Sequence, residues 1–273
     1  MSTMEKNYKA EQTVIPEKIR QMTAGRASRT DGTGMSNALV TVFDDCVLKI
    51  APYRGRNEET VEVMRWLEGK LPVPKVLCYE SDGVHQFLLM SKIPGKMACD
   101  EYWMSRPDEL VTRLAEALRM LWSTDVAGCP RIRDIDAELE EASYRVQNGL
   151  VDIANTEPST FGEGGFRDPQ ELLQWLRDNR PDYDPVLSHG DFCLPNIFLD
   201  ENGISGFIDL GETGVGDRYR DIALCYRSLR SNAEGAYGGK VYPDIRSMAL
   251  FDALGIEPDM DKIRYYLLLD ELF

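Results

Sequence analysis

The sequence predicts an α+β protein of two lobes, a small β-rich one over residues 1–93 and a larger, mostly helical one over residues 94–273. Three observations carry this. At 273 residues the chain reaches the size, about 250–300 residues, at which single hydrophobic cores stop growing. Up to Ser91 the apolar residues fall in short β-branched runs divided by turn residues. Beyond Ile93-Pro-Gly95, the expected inter-lobe linker, they recur at helical spacing.

Within the first lobe, residues 35–50 hold two strand-like runs around Asp44-Asp45, a hairpin that places Lys49 near a strand end. Asn57-Glu-Glu opens a helix to about Gly69: Asn caps, the acids suit the positive end of the helix dipole, and Val61, Met64 and Leu67 share a face. Pro72 and Pro74 end it, and strands at about 75–80 and 85–91 flank the turn Ser81-Asp-Gly83. A lobe of five strands and one helix is expected. In the second lobe, Leu110, Leu114, Ala117, Leu118 and Leu121 form one helical stripe, and Ile135, Leu139, Ala142 and Val146 form another. Asp168-Pro-Gln-Glu171 starts a helix with Asp at the cap and Pro in the first turn. Further helices are expected over about 217–231, 243–254 and 259–271.

Acidic residues outnumber basic ones 46 to 31, a formal charge of -15, which argues against nucleic acid and favours cationic partners. The six cysteines, at 46, 78, 99, 129, 193 and 225, form no C-x-x-C pair, so neither a zinc site nor a disulfide framework is indicated. No apolar run approaches the roughly 18 residues of a membrane span or resembles a signal peptide, which places the expected protein in the cytoplasm without a membrane partner, as a monomer or weak dimer.

The densest chemistry lies in Leu187-Ser-His-Gly-Asp-Phe-Cys-Leu-Pro-Asn-Ile-Phe-Leu199, followed by Gly206-Phe-Ile-Asp-Leu-Gly211. Phosphoryl transfer asks for a carboxylate beside the attacking hydroxyl, divalent metal on the phosphates and a cation to hold them. Asp191 is the candidate base. Asn196 and Asp209 offer hard oxygen ligands for the metal. His189 sits too close to Ser188 in sequence for a facing nucleophile–base pair, so its expected work is to hydrogen-bond the loop backbone and support the Asp209 segment. His85 is expected to be structural.

Here the chain resembles the aminoglycoside 3'-phosphotransferases, antibiotic-resistance kinases of the protein-kinase-like bilobal fold, over nearly its whole length. The marks are Trp66-Leu-Glu-Gly-Lys-Leu-Pro-Val-Pro-Lys-Val76, Leu88-Leu-Met-Ser91, Ser188-His-Gly-Asp191 through Asn196, Gly206-Phe-Ile-Asp-Leu-Gly211, Asp221-Ile-Ala223 with Arg227-Ser228, and Asp270-Glu-Leu-Phe273. The resemblance implies ATP and Mg²⁺ as cofactors and an aminoglycoside as the phosphoryl acceptor. It implies that Lys49 contacts the α- and β-phosphates, that Ser36 lies in the loop covering them, and that backbone from Met90 and Ser91 to Ile93 binds adenine. It puts Asp270, Glu271 and the Phe273 carboxylate on the amino sugars, with Glu157 a further carboxylate for the same purpose and Arg227 either holding loops on the drug side or bridging a nearby acid. The chain's acidity then suits a polycationic substrate.

Three positions depart from the family pattern. Thr60 stands where a helix glutamate pairs with the strand lysine, leaving Glu58, Glu59 or Glu62, of which helical rotation favours Glu59. Val47 replaces an aromatic that stacks on adenine, and Glu212 replaces an arginine after Asp-Leu-Gly. The expected reaction is phosphorylation of the 3'-hydroxyl of a kanamycin- or neomycin-like drug. A kinase for another small-molecule hydroxyl and a silent nucleotide-binding protein are the alternatives.

Overall fold

The computed structural model describes residues 14–31, 38–53 and 57–273. Strands β1 (Ser28–Asp31), β2 (Leu39–Phe43), β3 (Cys46–Pro52), β4 (Val76–Ser81) and β5 (His85–Ser91) form one antiparallel sheet in the order β1-β2-β3-β5-β4. Asp44-Asp45 makes the turn between β2 and β3, with Val42 opposite Val47 and Val40 opposite Lys49. Alternation sorts β3: Cys46, Leu48 and Ile50 are buried on one face, so Val47 and Lys49 share the other.

One helix in this lobe is a correction to the expected single one. α1 (Glu17–Thr23) precedes the sheet and buries Ile19 against the face made by Cys46, Leu48, Ile50, Phe87 and Leu89. Its apolar signal, Ile15, Ile19 and Met22, is the i, i+4, i+7 pattern of a two-turn helix with no side-chain cap to announce it.

α2 (Asn57–Leu67) has its apolar face elsewhere. Val61, Val63, Met64 and Leu67 are buried in the same continuous core as the helical lobe, together with Leu71, Val73 and Leu88. The backbone changes character near residue 93, but the packing does not break there.

Beyond the linker come β6 (Lys96–Met97), α3 (Glu101–Met104), α4 (Pro107–Trp122), α5 (Ile135–Gln147) and α6 (Pro169–Asp178). The expected cap holds: Asp168 Oδ1 accepts the Glu171 N–H at 2.9 Å, with Pro169 in the first turn. β7 (Pro185–Ser188) pairs with β10 (Gly214–Asp217), and between them the hairpin β8 (Ile197–Asp200) and β9 (Gly203–Phe207) joins β6 in a three-stranded sheet. α7 (Arg218–Ala233), α8 (Ala249–Leu254) and α9 (Met260–Asp270) complete the chain. α8 is shorter than expected because residues 243–248 turn instead: Ile245 donates its N–H to Tyr242 and buries its side chain. Among the described residues no helix is long and apolar enough to cross a membrane.

Candidate active site

The loop after β7 is organised by a carboxylate from another element. Asp221, fully buried in the first turn of α7, accepts the Ser188 hydroxyl at 3.0 Å and the N–H groups of His189 and Gly190 at 2.9 Å each. Burial pushes its carboxyl up, and His189 with these donors pulls against that. Gly190 follows at φ +79°, where a Cβ would lie 2.3 Å from the Glu212 carbonyl oxygen, so the loop can press onto the 210–212 turn only with glycine here.

His189 is buried and bridges the two strand ends. Its Nε2 faces the Ile208 carbonyl at 3.0 Å and its Nδ1 accepts the Asp191 N–H at 3.3 Å, so the partners assign the hydrogen to Nε2. This is the supporting role read from the sequence, and it leaves neither nitrogen for chemistry.

A turn of 3₁₀ helix, Leu194–Asn196, then carries Asn196 under Asp191. Asn196 Nδ2 donates to the Asp191 backbone oxygen at 3.0 Å and to its Oδ2 at 2.9 Å. The Asn196 carbonyl accepts the Ile208 N–H at 2.9 Å, which sets Asp209 alongside. Asp209 is the only non-glycine among the described residues at positive φ (φ 59°, ψ 59°), a conformation that costs about 1–3 kcal/mol and concentrates at functional sites. Lys49 Nζ crosses from β3 to Asp209 Oδ1 at 2.8 Å. Because its NH₂ is committed to Asp191, Asn196 has its amide oxygen to offer, and Asp209 has a second carboxylate oxygen. A neutral and a charged hard oxygen suit Mg²⁺, which usually takes one or two protein ligands and completes its shell from phosphates and water. Next to Asp191, burial pushes the Cys193 thiol well up, so it stays uncharged there.

The hinge is pinned on its outer side. Lys75 and Ser91 exchange two hydrogen bonds, Ser91 N–H to the Lys75 carbonyl and Lys75 N–H to Ser91 Oγ, both 2.9 Å, and the Lys92 N–H reaches the Asp45 carbonyl at 3.0 Å. The Ile93 N–H has no acceptor among the described residues. Ser36 lies outside the described residues. Glu59 is not at Lys49: its carboxylate stands 3.9 Å from Arg131 Nε, while Arg131 Nη2 donates to Thr60 Oγ1 at 3.0 Å.

The residues expected on the drug are gathered along the end of α9. Arg220 Nη2 meets Asp270 Oδ1 at 2.8 Å, Arg227 meets Oδ2, and Arg227 Nη1 lies 3.8 Å from Glu271. Glu271 accepts the Glu157 N–H at 3.0 Å, and Arg230 is 3.9 Å from the Glu157 carboxylate. Arg145 donates to the carbonyl oxygen of Leu272 and to a main-chain carboxylate oxygen of Phe273. Asp270 therefore has a guanidinium on each oxygen, whereas Glu157 is half-exposed and lightly paired. After Gly211, Glu212 meets Arg133 at 2.5 Å, and Arg133 also holds Glu141 at 2.6 Å.

The model of the phosphotransferase enzyme family matches residues 29–251. An aminoglycoside 3'-phosphotransferase of Enterococcus faecalis is 40% identical over 255 residues, covering 89% of this chain and 92% of its own. The chain belongs to the aminoglycoside 3'-phosphotransferase family. Solved aminoglycoside phosphotransferases share its fold: one of type VIII, a 3'-phosphotransferase, superposes with TM-score 0.80 at 27% identity over 94% of this chain and 97% of that one. An aminoglycoside phosphotransferase of Streptomyces rimosus, solved with ADP and streptomycin, gives 0.73 at 26% identity over 93% and 95%. In this phosphotransferase two contributors went unread in the sequence. Asp221 was visible only as a motif letter, since nothing in a helix start says which loop its carboxylate will hold. Arg220, buried against Glu138 at 3.4 Å and Asp270, looked like any helical arginine.

Proposed function

We propose that this phosphotransferase moves the γ-phosphoryl group of ATP, as its magnesium complex, to the 3'-hydroxyl of a kanamycin- or neomycin-like aminoglycoside in the cytoplasm. The observation that carries the reading is a carboxylate fixed beside two further hard-oxygen side chains: Asp191 is held by Asn196 at 2.9 Å, and Asn196 is hydrogen-bonded to the backbone entering Asp209. Asp191 orients the sugar hydroxyl and takes its proton at the carboxylate. Lys49, paired with Asp209 in the structure, would place its ammonium on the phosphates. Asn196 and Asp209 would hold Mg²⁺, which when bound neutralises charge on the phosphate oxygens. The Ile93 N–H and neighbouring hinge carbonyls from Met90 and Ser91 supply the donor and acceptors adenine needs, and Val47 packs on the ring as an aliphatic surface.

Aminoglycoside ammoniums would meet Glu157, Glu271 and the Phe273 carboxylate. Asp270 and Arg227 hold that wall in shape by pairing with each other. The chain's net charge of -15 favours the encounter at a distance.

The test is incubation of the purified protein with ATP, magnesium and a panel of aminoglycosides, followed by mass measurement and NMR mapping of the product. A gain of one phosphoryl group at the 3' position is expected. Asp191→Ala should reduce kcat about 10²–10⁴-fold with nucleotide binding retained. An unmodified panel, or an Asp191→Ala loss within about tenfold, refutes the reading.

A further inference from the structure

A short strap between α4 and α5 runs against the edge of β10. Ile132 bridges Val215 in parallel fashion, the Arg133 N–H donates to the Val215 carbonyl at 2.7 Å, and the Val215 N–H donates to the Arg131 carbonyl at 3.0 Å. The approach is close: a Cβ on Gly216 would lie 2.5 Å from the Arg133 carbonyl oxygen, so glycine is needed for the two segments to zip together. The strap is thus anchored by backbone, and its side chains are free to reach elsewhere.

Arg131 reaches across the lobes. Its side chain is nearly buried, with Nη1 donating to the Gly211 carbonyl at 2.5 Å and more weakly to the Thr213 carbonyl at 3.4 Å, and Nη2 donating to Thr60 Oγ1 on α2 at 3.0 Å. Glu59, one residue earlier on α2, stands 3.9 Å from its Nε. One planar guanidinium therefore joins α2 to the segment immediately after Asp209. Lys49, which also reaches between the lobes, makes its ion pair with Asp209 and, among the described residues, none with α2. Thr60 has no carboxylate with which to engage it.

We propose that Arg131 is the positioning residue that sets Asp209 against the nucleotide, by tying α2 and the 211–213 segment to the strap. This rests on the assignment of Asp209 as a magnesium ligand under the proposed function. Arg131 touches no reacting atom; it acts through the backbone on either side of Gly211. The strain at Asp209 makes such a restraint useful, since a left-handed aspartate relaxes unless its neighbours hold it. Arginine suits the position because its rigid fork serves several acceptors at once, which the single point charge of lysine does not.

The experiment measures binding of ADP with and without magnesium chloride by calorimetry, on wild type, Arg131→Met, Arg131→Lys, Thr60→Val and the Arg131→Met/Thr60→Val pair, together with melting temperatures and the KM for the drug. Arg131→Met should weaken magnesium–ADP binding roughly tenfold or more, as expected for losing hydrogen bonds from a charged donor, while metal-free ADP binding and the drug KM stay within about twofold. Arg131→Lys should recover only part of the affinity. Thr60→Val should give a smaller loss of the same kind, and none when added to Arg131→Met, because both remove one tie.

Unchanged magnesium–ADP affinity in Arg131→Met overturns the proposal. So does an equal loss on nucleotide and drug accompanied by a lower melting temperature, or an additive double variant. Should Arg131→Met fail to fold, Thr60→Val decides alone: a magnesium-dependent loss at unchanged melting temperature supports the tie, and no loss refutes it. A wild type whose ADP binding ignores magnesium refutes both this and the metal assignment. One that binds magnesium–ADP yet phosphorylates no aminoglycoside refutes the proposed reaction alone.

Discussion

Asn196 and Asp191 are joined twice by a single amide: Nδ2 of Asn196 bonds both the backbone oxygen of Asp191 at 3.0 Å and its Oδ2 at 2.9 Å. The bond to the main chain fixes the amide, and the amide then fixes the carboxylate rotamer. Its other end is the oxygen proposed above as a cation ligand, so one side chain would set both the orientation of the proposed base and metal binding. Asn196→Ala removes both, and kcat should fall by about 10²–10³, the scale of losing one preorganised polar group in an active site. Steady-state kinetics check this, and a loss within tenfold would disconnect the pair from catalysis.

Asp221→Ala should damage stability before chemistry. The change strands the Ser188 hydroxyl and the His189 N–H in a buried place and leaves the Gly190 N–H only its 3.1 Å bond to Ser188 Oγ, and unsatisfied donors cost about 1–3 kcal/mol each. A loss of about 3–5 kcal/mol in urea unfolding is expected, allowing for local relaxation. Asp221→Asn should recover only part, since its amide oxygen can keep the Ser188 and Gly190 donors while its NH₂ meets the His189 N–H where the carboxylate met it with an acceptor. An Asp221→Asn variant of wild-type stability would refute this account.

Asp209 separates fold from function. Its backbone is left-handed, which glycine tolerates and alanine does not, at a difference of about 1–2 kcal/mol. Asp209→Gly should therefore unfold at higher urea than Asp209→Ala, and neither should transfer phosphate. The Lys49 pair, half-exposed at Asp209, adds at most about 1 kcal/mol to either comparison. Equal urea midpoints would show the left-handed conformation to be incidental.

Acid should weaken the wall at the end of α9. Burial alone would raise the Asp270 carboxyl, but the guanidiniums of Arg220 and Arg227 outweigh it and hold it below its ordinary 3.8. A carboxyl lowered on folding stabilises fully above its unfolded value and loses that contribution as pH falls through the folded one. The gap in unfolding free energy between wild type and Asp270→Asn should thus be constant from about pH 7 to pH 5, at about 3–5 kcal/mol for an unpaired buried charge, and shrink below about pH 3.8. A gap independent of pH down to 3 would refute the pairing.

The gathering of Asp191, Asn196 and Asp209 was legible because it is local: they lie within nineteen positions, and the hairpin that folds them together is written in Asp200-Glu-Asn-Gly203. Four of the five strands and most helices were legible from alternation, caps and prolines, whereas β1 was expected in the count but not located. What escaped depends on distance in sequence. The partner of Lys49 was sought on α2 by helical rotation, yet the structure gives it Asp209, because the guanidinium that meets α2 comes from residue 131, on a strap with no motif of its own. Likewise α1 escaped because two turns with a single fully buried side chain leave too short a period to read.

The burial of Val61, Val63, Met64 and Leu67 in one continuous core with Leu114 and Leu118 governs how the molecule comes apart. A fragment cut at residue 93 would carry a greasy helix stripped of its cover, and should precipitate or associate instead of standing alone as a nucleotide binder. Heating the intact chain should accordingly give one calorimetric peak, with both halves of the catalyst lost together.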